Sequence, residues 1–342
     1  MVDSCIDHET GRPAALDYLK EIGVDPAESI RLVVITHWHE DHFRGVASIF
    51  RAARAAKLVC SAALNKKDFW RFVASARRNS MVTSNDGKEL AELFALLDER
   101  APEGARPPSI GPEWARANHR LFRASGQGRL TSEVWALSPS SATMTLGLNE
   151  LISWLPKARE SKRRPVSLSP NQIAIVLWIN VGEISVLLGA DLENSANPLL
   201  GWEAIVSSTE RPPGRAGVVK VPHHGSSNAD HPGVWATMLT ESPCALVAPF
   251  SSGTAPLPRK ADLARLLART PELFCTAPIR GLKPMGRPSA VERTLREVAQ
   301  GLRVVDGRMG HVRVRLRNDH PDRVSSCDLF GAAFRVRSED AA

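Results

Sequence analysis

Cysteine is scarce and unpaired in this chain: five residues, at 5, 60, 244, 275 and 327, are scattered over 342 positions without a Cys-x-x-Cys pair. That excludes a disulfide framework and a thiolate zinc knuckle, and it is the usage of reduced thiols in a cytoplasmic protein. Long hydrophobic runs are missing too. The most apolar region, Ile173 to Ala190, is broken by Asn180, Gly182 and Glu183, too early for a membrane span. The first thirty residues mix Asp, Glu and Lys without the apolar stretch of a signal peptide. No internal repeat or low-complexity segment stands out. The chain therefore reads as soluble, with no membrane partner.

What is present is a globular composition, 43% hydrophobic, able at this length to bury the core of one sizeable domain or two smaller ones. Lys and Arg number 44 against 37 Asp and Glu, a surplus of seven. Such a balance favours an anionic partner, nucleic acid or a phosphorylated small molecule, and serves solubility equally well.

The most informative stretch is Arg31 to Gly45, RLVVITHWHEDHFRG. Leu32, Val33, Val34 and Ile35 form an uninterrupted, β-branched run, the pattern of a strand covered on both faces. Where it ends, His37, His39, Asp41 and His42 follow within six residues. A loop at the carboxyl end of a buried strand is where a rigid scaffold presents chemistry. His37 and His39 can converge on one ion, while Asp41 and His42 point to a neighbouring position. Imidazole nitrogen with carboxylate oxygen suits Zn²⁺, Mn²⁺ or Fe²⁺, and a site without thiolate leaves room for water.

Around this loop the chain follows a βαβ rhythm. Pro13 to Ile22 reads as a short amphipathic helix stopped by Gly23, Gly45 to Ala56 as a helix and Lys57 to Cys60 as the next strand. From about 61 to 129 the pattern turns helical, over Leu64 to Arg77, Lys88 to Arg100 and Trp114 to Phe122, with a Pro/Gly-rich stretch from Ala101 to Pro112. This is read as an insertion beside the site, a lid or substrate wall. Its tryptophans, Trp70 and Trp114, lie among many lysines and arginines. They either stack bases beside phosphate-binding cations or form the two faces of amphipathic helices. Glu133 to Leu137 reads as a strand, followed by a helix to Lys157 and the exposed basic stretch KARESKRRP.

Pro170 to Glu193 carries two apolar runs around Asn180, Val181 and Gly182, a buried hairpin that ends at Asp191. Val218 to Ser227, VVKVPHHGSS, is again a buried strand, this time ending in His223 and His224. Further on, Ala264 to Ala268 and Ala290 to Ala299 read as helices. Leu302 to Val305 and His311 to Leu316 read as two arms of a hairpin whose Arg313, Arg315 and Arg317 form either a basic edge or a solvated face. His8, His119, His231, His311 and His320 read as structural or surface residues.

The run H-x-H-x-D-H after a hydrophobic strand resembles the first metal motif of the metallo-β-lactamase superfamily. Gly189-Ala190-Asp191 looks like the turn that supplies its bridging carboxylate. VVKVPHHGSS is similar to the HHGS motif of the ComEC/Rec2-type domain and its soluble relatives, and the likeness spans roughly Val2 to Ala277. It implies an α/β fold, a four-layer αββα sandwich forming one domain over 1–342, with the mostly helical insertion at about 61–129 and a C-terminal helix and hairpin extension from about 285. It also implies Zn²⁺ or Mn²⁺, one or two ions, with metal ligands among His37, His39, Asp41, His42, Asp191, His223 and His224, and Asp41, Asp191 and His224 as the catalytic groups. The expected activity is hydrolysis by a metal-activated water, first of a phosphodiester such as nucleic acid. A small ester, lactone, lactam or nucleotide is the alternative, and a partner-dependent or non-catalytic subunit of a bacterial defence-type complex the third. Three departures stand out. Asn171 occupies a position where many relatives carry a metal-binding His, though the ComEC-like branch often has Asn there as well, and Leu257 one where that branch carries a His. Met1 falls almost on the Val-Asp-Ser turn that normally follows a first hairpin, so either that hairpin is lacking, the start is truncated, or a partner chain completes the sheet edge.

Overall fold

The structure is a computed structural model and describes residues 1–64, 85–101, 111–126, 130–146, 170–250, 256–279, 289–298 and 309–341. Thirteen strands are described: β1 (Leu32–Val34), β2 (Lys57–Ser61), β3 (Glu113–Ala115), β4 (His119–Ser125), β5 (Thr131–Ala136), β6 (Leu177–Val181), β7 (Ile184–Leu188), β8 (Ala216–Lys220), β9 (Leu239–Val247), β10 (Leu273–Cys275), β11 (His311–Arg317), β12 (His320–Phe330) and β13 (Phe334–Arg335). They form a three-stranded parallel sheet in the order β1-β2-β3, an eight-stranded mixed sheet in the order β13-β10-β9-β8-β7-β6-β5-β4, and a two-stranded ribbon of β11 and β12.

The alternation of side chains along the large sheet decides what covers each face. Leu187, Val219, Ala245 and Val247 point to one side and pack with Trp202, Leu263 and Leu266 from the helices Gly201–Val206 and Lys260–Leu267. Leu177 and Leu188 point to the other side and meet Leu32, Val34 and Val59 of the small sheet. The far face of the small sheet, Val33, Ile35 and Leu58, is covered by Ile49, Phe50, Leu93 and Phe94 from the helices Val46–Ala52 and Asn85–Glu99. The result is helices, two sheet layers and helices again, the αββα order. Burial of Trp178 and Trp202, both fully enclosed, contributes about 2–3 kcal/mol each by area removed from water.

The small sheet covers only part of the large one. Beside it, the ribbon lays Val312, Val314, Leu316, Val324 and Cys327 over Val186, Val218, Cys244, Leu246 and Phe274. Tyr18 of the first helix, Ala14–Glu21, touches this ribbon, its ring 4.9 Å from that of His311. On the free edge of β1, residues 1–3 run alongside the strand: Val2 bridges Val34 in parallel, and Asp3 N donates to Val34 O at 2.9 Å.

One expectation is corrected. Trp114 to Phe122 is not a helix but parts of β3 and β4, separated by Asn118 in the left-handed region at φ 60. Pairing of Cys60 with Trp114 and of Phe122 with Val134 outweighs local helical preference, as sheet context commonly does. Among the described residues the arm His311 to Leu316 pairs with His320–Phe330. Its arginines are matched by carboxylates: Arg313 and Arg315 both bind Asp328, and Arg317 binds Asp319 at 2.8 Å. The expected Leu302 to Val305 arm, most of Leu64 to Arg77, most of the Pro/Gly-rich stretch and the KARESKRRP segment lie outside the described residues.

Candidate metal centre

The chemistry collects where β1, β7, β8 and β9 end. Three of these, β7, β8 and β9, are parallel neighbours, so their carboxyl ends open on one rim. After β1, Thr36 and His37 are buried and the backbone turns into the one-turn helix Glu40–Phe43. The turn is held from the start of the chain. Asp3 Oδ1 accepts from Thr36 N at 2.7 Å, and Asp3 Oδ2 accepts from Thr36 Oγ1 at 2.7 Å and lies 2.7 Å from His42 Nδ1. Thr36 Oγ1 is in turn 3.0 Å from His37 Nδ1. One carboxylate thus fixes the outer nitrogens of two imidazoles, leaving both Nε2 atoms to face inward. Gly45 follows at φ 91, where a Cβ would stand 2.5 Å from Ile6 Cδ1, and Glu89 Oε1 caps the next helix by accepting from Gly45 N and Ala47 N.

At the end of β7, Gly189 lets the backbone pass β8, since a Cβ there would meet Lys220 O at 2.9 Å. Ala190 is left-handed at φ 45, a strained setting for a side chain with a Cβ. Its carbonyl accepts from Lys220 Nζ at 2.7 Å and from His223 N at 3.0 Å, which ties the Asp191 turn to the HHG turn. His223 and His224 are both left-handed, at φ 45 and 52. Their rings part company as a result. His224 Nδ1 donates to Ala248 O at 2.8 Å, and its Nε2 lies 3.1 Å from both Asp41 Oδ2 and Asp191 Oδ2. His223 turns away, with Nδ1 3.0 Å from Asn228 Oδ1 and 3.3 Å from Glu193 Oε1, and Nε2 3.3 Å from Asn171 Nδ2.

Two groups of ligand atoms emerge, each with all its members within 4.8 Å of one another: His37, His39 and Asp191, and beside them Asp41, His42, Asp191 and His224. Asp191 belongs to both. It is almost fully buried, and although burial opposes ionisation, Lys220, 3.2 Å from its Oδ1, together with His224 and His42 holds it well below the usual carboxylate range. Asp41, the most exposed member, is likewise brought down to about 2 against the effect of burial, by its bond to His224 and the charges of His42 and His224. Burial and the neighbouring His42 keep His37 neutral, down at about 3. Burial also lowers His39, whereas for His42 it is outweighed by Asp3 and Asp191, which raise it to about 10. Ionised oxygens and inward Nε2 atoms, with no sulfur, form a donor set that fits divalent Zn²⁺ or Mn²⁺.

Every sequence-predicted site residue except His223 therefore lies in one of the two groups. Phe250 stacks on the His224 ring at 5.1 Å and bridges Leu257, an apolar wall at the position where a further His was looked for. His231 is structural: it caps the helix Pro232–Thr237 and pairs with Glu203 at 2.9 Å. Sequence reasoning missed the parts played by Asp3 and Lys220. The Val-Asp-Ser turn was visible, but nothing local tied it to residues more than thirty positions on.

Residues 1–120 match the family model described as the metallo-beta-lactamase superfamily, a span that holds His37, His39, Asp41 and His42 but not Asp191 or His224. No curated protein matches the chain.

Proposed function

We propose that this chain, which carries a metallo-β-lactamase superfamily domain and with it the character of a metal-dependent hydrolase, is a phosphodiesterase, a nuclease in the first instance. The observation that carries the reading is the sharing of Asp191 between two adjoining donor groups, the layout of a two-ion hydrolytic centre. Divalent ions held there would supply Lewis acidity for activating a water and for drawing charge from a phosphoryl oxygen. His37 and His39 would hold one ion and Asp41, His42 and His224 a second, with Asp191 common to both groups. Asp41, ionised and partly exposed, is placed to orient the attacking water by accepting a hydrogen bond from it. Asp3 and Thr36 keep the imidazoles turned inward, and Ala248 O does the same for His224. The surplus of seven basic residues agrees with an anionic substrate.

The test is cleavage of labelled single- and double-stranded DNA and RNA with Mn²⁺, Zn²⁺ or Mg²⁺, alongside the metal content of the protein. Asp191→Ala and His37→Ala should each lose at least about a hundredfold in rate, about 2.7 kcal/mol of transition-state stabilisation. An occupied centre that cleaves no nucleic acid but opens a small ester or lactone would move the substrate to that class. An empty centre would remove the enzyme reading.

A further inference from the structure

The turn that carries His224 is strained. His223, His224 and Gly225 follow one another in the left-handed region, at φ 45, 52 and 84. In the two histidines the Cβ crowds the carbonyl that follows it, so such a run persists only where its surroundings fix it. Within the turn, Gly225 N donates to Pro222 O at 3.0 Å and Ser226 N to His223 O at 2.9 Å. Its last carbonyl is gripped from outside: Gly225 O accepts from Nη2 of Arg265, in the helix Lys260–Leu267, at 2.6 Å.

Arg265 is itself held on both sides. Its Nη2 also donates to Asp262 Oδ1 at 3.1 Å, and its Nη1 lies 2.7 Å from Asp230 Oδ2. The two carboxylates are 9% and 10% exposed, and each has a second partner. Asp262 Oδ2 accepts from Arg259 N at 3.0 Å, capping the helix, and Asp230 Oδ1 accepts from Trp235 Nε1 at 2.6 Å. A planar guanidinium between two anchored carboxylates is fixed in orientation. The same helix presses on the turn, since a Cβ on Gly225 would stand 3.3 Å from Leu266 Cδ1.

We propose that Arg265 is a positioning residue of the metal centre, holding the HHG turn in the left-handed conformation that aims His224 at Asp41 and Asp191. The inference rests on the metal-centre reading above. The bond from Nδ1 to Ala248 O sets the rotation of the ring, but the backbone of residue 224, at φ 52, sets where the side chain starts. Relaxed to the right-handed region, that backbone would swing Cβ, and with it Nε2, away from the two carboxylates it approaches at 3.1 Å. A buried ion-pair cluster adds little stability over apolar side chains of its volume. What it adds here is a fixed point for one carbonyl.

Calorimetric titration of the metal-free full chain with Zn²⁺ and with Mn²⁺ tests this, comparing wild type, Arg265→Met, His224→Ala and the double variant. Met keeps most of the stem and removes the fork, so the ion that uses His224 should bind about 10–100-fold more weakly while the ion at His37 and His39 is unchanged. Added to His224→Ala, the same substitution should weaken binding no further, because the ligand it positions is gone. Arg265→Lys keeps the charge without the fork and should fall between Met and wild type. Equal weakening of both ions, an undiminished loss in the His224→Ala background, or wild-type affinities in Arg265→Met would overturn the inference and leave the centre standing. Should Arg265→Met fail to fold by circular dichroism, Arg265→Lys takes its place in the same comparison. No ion bound by wild type would bring down the metal-centre reading itself, and this inference with it.

Discussion

Replacing Asp3 should damage the centre from a distance. Its carboxylate makes three short contacts, to Thr36 N, Thr36 Oγ1 and His42 Nδ1, each 2.7 Å, with a side chain 15% exposed. In Asp3→Ala the Thr36 amide, in a residue 1% exposed, loses its acceptor, which costs about 1–3 kcal/mol. His42 loses a charged partner in a buried setting, a further loss of about 2 kcal/mol. The sum is roughly 3–5 kcal/mol. Asp3→Asn separates the two parts. Its amide oxygen still accepts from Thr36 N, but its nitrogen cannot accept from His42, so about half of the destabilisation should remain. Urea unfolding in the presence of a chelator measures this free of metal linkage. Both variants should also bind metal about 10–100-fold more weakly, since His37 through Thr36, and His42 directly, are no longer held in rotation. An Asp3→Ala variant within about 1 kcal/mol of wild type and with unchanged metal affinity would refute the reasoning.

Two more outcomes follow from charge and burial. Lys220→Met keeps the stem but removes the cation that donates to Ala190 O and Asp191 Oδ1. Because the folded form holds Asp191 below its unfolded value, its stabilisation is complete above the ordinary carboxylate range and fades as pH falls. The Met variant should therefore acid-unfold at higher pH in chelator, and an unmoved acid midpoint would remove Lys220 from this role. Cys275 is pushed by burial, and by Asp340, from an ordinary 9.0 up to about 12. Across that window the folded state keeps a proton that the unfolded state has lost, so stability declines with rising pH, by up to about 4 kcal/mol from this thiol. Cys275→Ala should flatten the alkaline limb of the stability profile while lowering its plateau, and an equally steep limb in the variant would place the loss elsewhere.

The centre was legible in sequence to the extent that residue type and strand position carried it. Three imidazoles and a carboxylate directly after Leu32–Ile35 had no structural reason to cluster there, and Asp191 and the paired histidines ended strands of the same kind. The choice between His223 and His224 was not legible, because two consecutive left-handed residues decide it, and backbone sign is not written in the letters HH. Nor was the grip of Arg265 on Gly225 O, which depends on a helix that begins well beyond the turn in sequence. Trp114 to Phe122 read as a helix, and pairing with strands from residues 57–61 and 131–136 overrode that local preference. The pairing of β11 with His320–Phe330 was not read, because the few apolar residues of β12 show their role only where they pack on the large sheet.

The ribbon has a consequence for synthesis. Val186, Val218, Leu246 and Phe274 are translated well before β11 and β12, the strands that roof them. While the nascent chain waits for those residues, an apolar sheet surface stands open to water and to other chains, the kind of exposure on which chaperones act. Ribosome-bound intermediates that end before residue 311 should therefore be held by chaperones, and release should coincide with emergence of the ribbon rather than of His224, which lies far earlier in the chain.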